Sequence, residues 1–178
     1  MDEIVKAALQ KWPNVPHVYG WLALDARGEW WLRDERAQAA GPFPAVKGSR
    51  IENERLLSFI GRNYERDERG CWYFQNGPQR VYVTLEAAPW VWRLAPAADG
   101  PPDVTAHTGA RERIDSAWTD ESGRLYLAGE RGLGLVHSLD MDIAAGAVDA
   151  GLWHPQPLRE AELEPRFAFV RVPSPDRR

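Results

Sequence analysis

Hydrophobic positions recur along the chain with two periods, and the switches between them mark out the elements. Ile4, Val5, Ala8, Leu9 and Trp12 fall on one face of a 3.6-residue repeat, predicting a short helix capped by Asp2 and ended by Pro13 and Pro16. Alternation then predicts strands at residues 19–25 and 29–33, joined across Ala26, Arg27 and Gly28. A polar loop with Ala and Pro is expected over 34–48. Ser49 followed by Glu52 reads as a capping box, opening a helix whose buried stripe is Leu56, Leu57, Ile60 and Tyr64. Strands follow at 71–75, 79–86 and 90–94. In them Val81, Val83 and Leu85 share one face, and so do Trp90, Trp92 and Leu94. Further strands are expected at 114–119, 124–128, 133–138 and 166–172, with a short helix over 140–148. The tail SPDRR reads as frayed.

One hairpin signature is written three times. Asp25-Ala-Arg-Gly28 before Trp30-Trp31-Leu32 matches Asp67-Glu-Arg-Gly70 before Trp72-Tyr73-Phe74. Asp120-Glu-Ser-Gly123 before Leu125-Tyr126-Leu127 is the third copy. Turn geometry supplies the reason: Asp caps a type I turn, and Gly takes the positive φ that enters the return strand through a bulge. Two origins fit, convergent turn chemistry or a duplicated β-rich unit. The second is favoured because Val83-Thr84-Leu85-Glu86 also parallels His137-Ser138-Leu139-Asp140.

The fold class expected is α+β, with two antiparallel β-rich units and a helix packed on or beside each sheet. The divisions fall at residues 1–95 for an aromatic-rich unit, 96–103 for a Pro/Gly-rich linker and 104–178 for a second β-rich unit.

The stretch KWPNVPHVYGWLALDARGEWWLRDE, with KGSRIENERLLSFIGRNYERDERGCWYFQNGPQRVYVTLEAAPWVWRL, resembles a proteobacterial family of uncharacterised proteins, a domain of unknown function. The resemblance continues through GLVHSLDMDIAAGAVDAGLW and implies no activity, ligand or catalytic residue. The plan of G-x-W, a helix, then Y-F and V-x-V-x-x-E-x-x-P is similar to a second bacterial family of unknown function. That family's fold is built from repeated β-rich motifs and a signalling role is suggested for it, although this sequence carries extra loops relative to it.

Composition narrows the options further. A net charge of −4 gives no long-range attraction to nucleic acid or to anionic membranes, so neither is an expected partner. Cys71 is the only cysteine, which excludes an intramolecular disulfide and Cys-x-x-Cys metal sites. No apolar run reaches the ~20 residues of a membrane span, and the first residues lack signal-peptide character, so a soluble cytoplasmic protein is expected.

Specific chemistry is sparse. His137, Asp140 and Asp142 are the one weak metal candidate, but acids at a helix start are explained by capping and the dipole, so no metal is expected. Cys71 between Gly70 and Trp72 reads as a small buried hydrophobe, and no nucleophile or phosphate-loop motif is present. No cofactor is expected. If Leu22, Leu24, Trp30 and Leu32 face the core, alternation sends Trp21, Trp31 and Arg33 to the opposite face. These three are the candidate binding residues, to be covered by the first helix, by the loop after Asp34, or by a protein partner or second copy in a homodimer. The function expected is a non-catalytic interaction or sensing module. The alternative is a small-molecule-binding enzyme whose residues converge only in the fold; a deep polar pocket with clustered ionisable groups favours that enzyme, and a flat apolar patch favours the module.

Overall fold

The first helix forms as α1 (Glu3–Lys11), yet of its expected face only Val5 is buried, while Ile4 and Trp12 are exposed. In this computed structural model, which describes residues 1–175, the chain divides into two units. The last three residues of the tail, 176–178, lie outside the described ones. One unit comprises Met1–Asp25, Glu29–Glu86 and the chain from Ala168 onward; the other comprises Ala26–Gly28 and Ala87–Phe167.

The first unit is built on a six-stranded sheet. Its strands are β1 (Val18–Leu24), β2 (Trp30–Leu32), β3 (Ser49–Arg50), β4 (Tyr64–Arg66), β5 (Trp72–Asn76) and β6 (Gln79–Leu85), in the order β3-β2-β1-β6-β5-β4. Neighbours are antiparallel except at the centre, where β1 and β6 run parallel. Two helices interrupt the strands, α2 (Glu35–Ala40) inside the expected loop and α3 (Glu54–Arg62). The expected capping box at Ser49 is not used, because Ser49 and Arg50 pair with Leu32 and Trp31 as a strand. The helix starts one turn later, where the Asn53 side chain accepts the Leu56 N–H at 3.0 Å. Of the expected stripe, Ile60 is buried, Leu56 is exposed and Tyr64 belongs to β4. There the Tyr64 ring meets Trp30 edge-on and Trp72 at a tilt, with centroids 5.2 and 4.7 Å away, joining strands from both halves of the sheet.

A seven-stranded sheet organises the second unit. Its strands are β7 (Trp90–Ala95), β8 (Asp103–Ala106), β9 (Arg111–Glu112), β10 (Ile114–Thr119), β11 (Leu125–Gly129), β12 (Gly132–Val136) and β13 (Gln156–Pro157). The order is β13-β10-β11-β12-β7-β8-β9, with β12 parallel to β7 and β13 parallel to β10. Helices α4 (Met141–Asp149) and α5 (Glu160–Phe167) follow β12 and β13. Trp92 lies fully buried in this core, its indole N–H donating to the Leu127 carbonyl at 2.8 Å.

Two sequence expectations are corrected here. The Pro/Gly-rich stretch over 96–103 does not separate domains. It joins β7 to β8, which pair from Trp92↔Ala106 to Ala95↔Asp103, so the division between units falls at Glu86 instead. The expected strand over 166–172 is displaced by α5, whose run of Glu, Ala and Leu favours a helix. The Glu162 carboxylate accepts the Arg159 backbone N–H at its start. Only Val170 keeps a strand-like contact, a single bridge to Cys71.

The three Asp-x-x-Gly turns share one construction. Gly28, Gly70 and Gly123 have φ of 78°, 82° and 77°. In each turn the Asp Oδ1 accepts the backbone N–H four residues on, at 3.0, 2.9 and 3.0 Å for Asp25, Asp67 and Asp120. Each Oδ2 takes an aromatic donor and a cation: Trp31 and Lys47 at Asp25, Tyr82 and Arg69 at Asp67, Tyr126 and Arg124 at Asp120. Among the described residues no helix is long and apolar enough to cross a membrane.

Candidate functional site

The alternation of β6 sends Val81, Val83 and Leu85 one way and Arg80 and Tyr82 the other, onto a face that carries an open polar pocket of about 660 Å³. Register places Tyr73 of β5 directly opposite Tyr82, and their rings meet with centroids 5.7 Å apart. From β1, Tyr19 stacks on Tyr82 at 4.5 Å with the planes only 5° apart. His17, just before β1, contacts the Tyr82 ring edge-on at 5.8 Å. Cys71 is buried against Tyr73 and Tyr82, as the sequence suggested for it.

Cations ring these phenols. Arg80 lies over the Tyr73 face at 4.5 Å from its centroid, and Arg69 over Tyr82 at 5.6 Å. Arg69 also donates to Asp67 at 3.2 Å, so that charge is neutralised locally. Arg80 is half-buried and forms no ion pair among the described residues, and neither does the exposed Arg66 on the pocket wall. Glu68, exposed in the turn, is the remaining acid of the lining.

The protonation states follow from these contacts. Burial alone would raise the Asp67 carboxyl, but donors from Cys71 N–H, Tyr82 and Arg69 outweigh it and hold Asp67 below the ordinary range. Burial pushes the Tyr73 phenol up to about 12 and raises Tyr82 as well, so both are neutral donors near pH 7. Their protons are placed: Tyr82 donates to Asp67 at 2.9 Å, and Tyr73 to Glu65 at 3.3 Å. Partial desolvation, followed by the nearby charges of Arg80 and Arg69, lowers the His17 imidazole below its usual value. The arrangement is a wall of aromatic faces bordered by guanidiniums, two of them without an ion pair among the described residues, a chemistry suited to holding an anion.

The residues singled out from sequence lie elsewhere in the first unit. Arg33 is only 5% exposed, and its guanidinium donates to the carbonyls of Val46, Ala37 and Gly41 at 3.1, 3.2 and 2.5 Å. It anchors the segment after Asp34, one of the covers foreseen for it, and it is not available to a ligand. The Trp31 N–H donates to Asp25 at 2.9 Å, with Lys47 over its ring. Trp21 is 37% exposed, and Leu32, assigned to the core by alternation, is 47% exposed. Leu32 is the last residue of β2 and pairs on its outer side with the exposed Ser49 of the two-residue strand β3.

The weak metal trio is also dispersed. The Asp140 carboxylate takes Arg93 at 2.6 and 3.1 Å and the Leu94 N–H at 2.9 Å. His137 Nδ1 accepts the Leu139 N–H at 3.1 Å, and Asp142 is exposed on α4. Among the described residues no three His, Cys, Asp or Glu side chains are grouped to hold a metal ion. The pocket went unread in the sequence although one signal for it was there: Arg80 and Tyr82 alternate against the apolar face of β6, in a strand flanked by Tyr73 and Tyr19.

A family model described as "Protein of unknown function (DUF2946)" matches residues 1–174. A search of the curated proteins gives no match. Among solved structures, a DUF1285 family protein from Silicibacter pomeroyi DSS-3 is similar with a TM-score of 0.52 at 15% identity. The match covers 80% of this chain and 82% of that one. A DUF1285 family protein from Shewanella baltica OS155 aligns with a TM-score of 0.49 at 14% identity, over 71% of this chain and 91% of that one. At this identity the likeness to the Silicibacter protein is one of fold alone.

Proposed function

Because the chain belongs to a family of proteins of unknown function, DUF2946, its role has to be sought in its own pocket, and we propose that it is a non-catalytic sensing module that binds a small organic anion there. The observation that carries this reading is Arg80: a half-buried guanidinium stacked on Tyr73 in the lining of the pocket, with no ion pair among the described residues. A cation held partly out of water favours an anion strongly, and a guanidinium grips carboxylate or phosphate oxygens in pairs. The neutral phenols support binding over catalysis, since Tyr73, titrating at about 12, is scarcely ionised at pH 7, and Tyr82 is raised in the same direction. The matched strand orders support reading the two units as a duplicated element: β1 to β6 and β7 to β12 occupy the same positions in their sheets, read from opposite edges. The Arg-over-Lys bias fits a bacterial source.

The test is calorimetric titration of the full chain with phenyl phosphate at low ionic strength. Saturable one-to-one binding is expected, weakened about ten-fold or more in Arg80→Gln. Absence of binding, or equal affinity in Arg80→Gln, would falsify the reading.

A further inference from the structure

The charge count of the pocket points beyond an anion in general to its valence. Asp67 and Arg69 neutralise each other at 3.2 Å, which leaves Arg66 and Arg80 as two guanidiniums without an ion pair among the described residues, against the single exposed carboxylate of Glu68. His17 stands beside them with its ring edge-on to Tyr82. We infer, on the basis of the anion-binding reading above, that the pocket selects phosphate monoesters over singly charged anions, with His17 as the group that gains a proton when the dianion enters.

The physical argument follows from what faces His17. Arg80 and Tyr82 present themselves from β6, Arg69 and Asp67 from the turn between β4 and β5, and Tyr19 from β1. In the empty pocket the two arginines oppose an imidazolium, and partial desolvation acts in the same direction; Asp67 opposes them weakly because Arg69 already pairs with it. A dianion placed against Arg80 reverses the field at His17. Its first negative charge is met by the guanidiniums, and the second is left to stabilise the imidazolium. A monoanion supplies no such second charge. Dianion binding is therefore linked to proton uptake, and affinity falls as pH rises through the raised pKa of His17 in the complex.

Phenyl phosphate and phenyl sulfate separate the two readings, because they share a tetrahedral shape and an aromatic ring but carry two charges and one at pH 7.5. Titrations of the full chain at that pH, repeated in two buffers of different ionisation enthalpy, read affinity and proton uptake together. Phenyl phosphate is expected to bind about ten-fold or more tighter than phenyl sulfate, with net proton uptake. His17→Gln should reduce both the preference and the uptake while its urea midpoint stays close to that of the parent. Equal affinities for the two ligands, or a preference and uptake that His17→Gln leaves intact, would overturn the dianion selectivity and leave anion binding standing. Failure of both ligands to bind would overturn the two readings at once.

Discussion

The phenol of Tyr82 donates to the Asp67 carboxylate at 2.9 Å, across fifteen residues of sequence, and so ties the turn between β4 and β5 to the strand that lines the pocket. The corresponding turns draw their aromatic donor from only six residues on, Trp31 for Asp25 and Tyr126 for Asp120. At Asp67 the residue at that spacing, Tyr73, points its hydroxyl to Glu65 instead. Substitution by a more distant tyrosine keeps the turn satisfied while freeing the Tyr73 ring to carry Arg80.

Tyr82→Phe is expected to lower unfolding stability by about 2 kcal/mol, the range of a buried hydrogen bond to a charged group. Asp67 has a depressed folded pKa, so its contribution is present above the unfolded value near 3.8 and lost as pH falls through the folded one. Without the phenol the folded pKa rises, and acid unfolding should begin at a higher pH than in the parent. Urea titrations at pH 7 and at about pH 2 measure both effects; equal stability losses at the two pH values would count against the linkage.

Gly70→Ala should be far more damaging than Gly123→Ala. Both residues have positive φ, which alone costs an alanine about 1 kcal/mol. A side chain at Gly70 would also overlap the Ala168 carbonyl oxygen, whereas nothing lies within 4 Å of one at Gly123. Thermal melts of the pair check this, and similar shifts in both would mean that the backbone at Ala168 gives way freely.

Arg33→Met is expected to cost about 3 kcal/mol, because three half-buried carbonyls lose the buried donor that holds them. Limited proteolysis should then cut first within residues 34–48. If Arg33→Met resists protease as the parent does, the anchor role assigned to Arg33 is wrong.

His107 gives a pH dependence in a different window. Burial lowers its imidazole to about 3 in the folded chain, against 6.5 ordinarily. The unfolded chain therefore binds a proton that the folded one refuses, and stability falls as pH drops from about 6.5 towards 3. At pH 5 the loss relative to pH 7 is about 2 kcal/mol, at 1.36 kcal/mol per unit. His107→Gln should flatten that slope between pH 6.5 and 4; an unchanged slope would place its origin in another group.

Much of this architecture was legible because local chemistry decided it. Asp, Gly and alternating apolar residues specify a hairpin within ten residues, and the three turns formed with the positive φ expected of them. Strands β3, β9 and β13, two residues each, carry no periodicity of their own; they are drawn into sheets by longer neighbours. The parallel pairings of β1 with β6 and β7 with β12 are set by contacts distant in sequence, which no local pattern encodes. The pocket was hidden for the same reason. His17, Asp67 and Arg80 meet only through that parallel pairing and the turn beside it, while Trp31 and Arg33 drew notice as an aromatic and a cation near in sequence. Arg33 turned out to serve the backbone of its own loop, a use that leaves no mark in the residue order.

The bridge between Cys71 and Val170 sets an order of events during translation. The Val170 N–H donates to Gly70 and the Leu85 N–H to the Arg171 carbonyl, so one flank of the first unit is completed by residues that emerge from the ribosome only after the whole second unit. Until then the nascent chain carries β5 and β6 with those backbone groups open to water or to a chaperone. A premature stop codon just before Ala168 would thus be felt in the first unit to be synthesised.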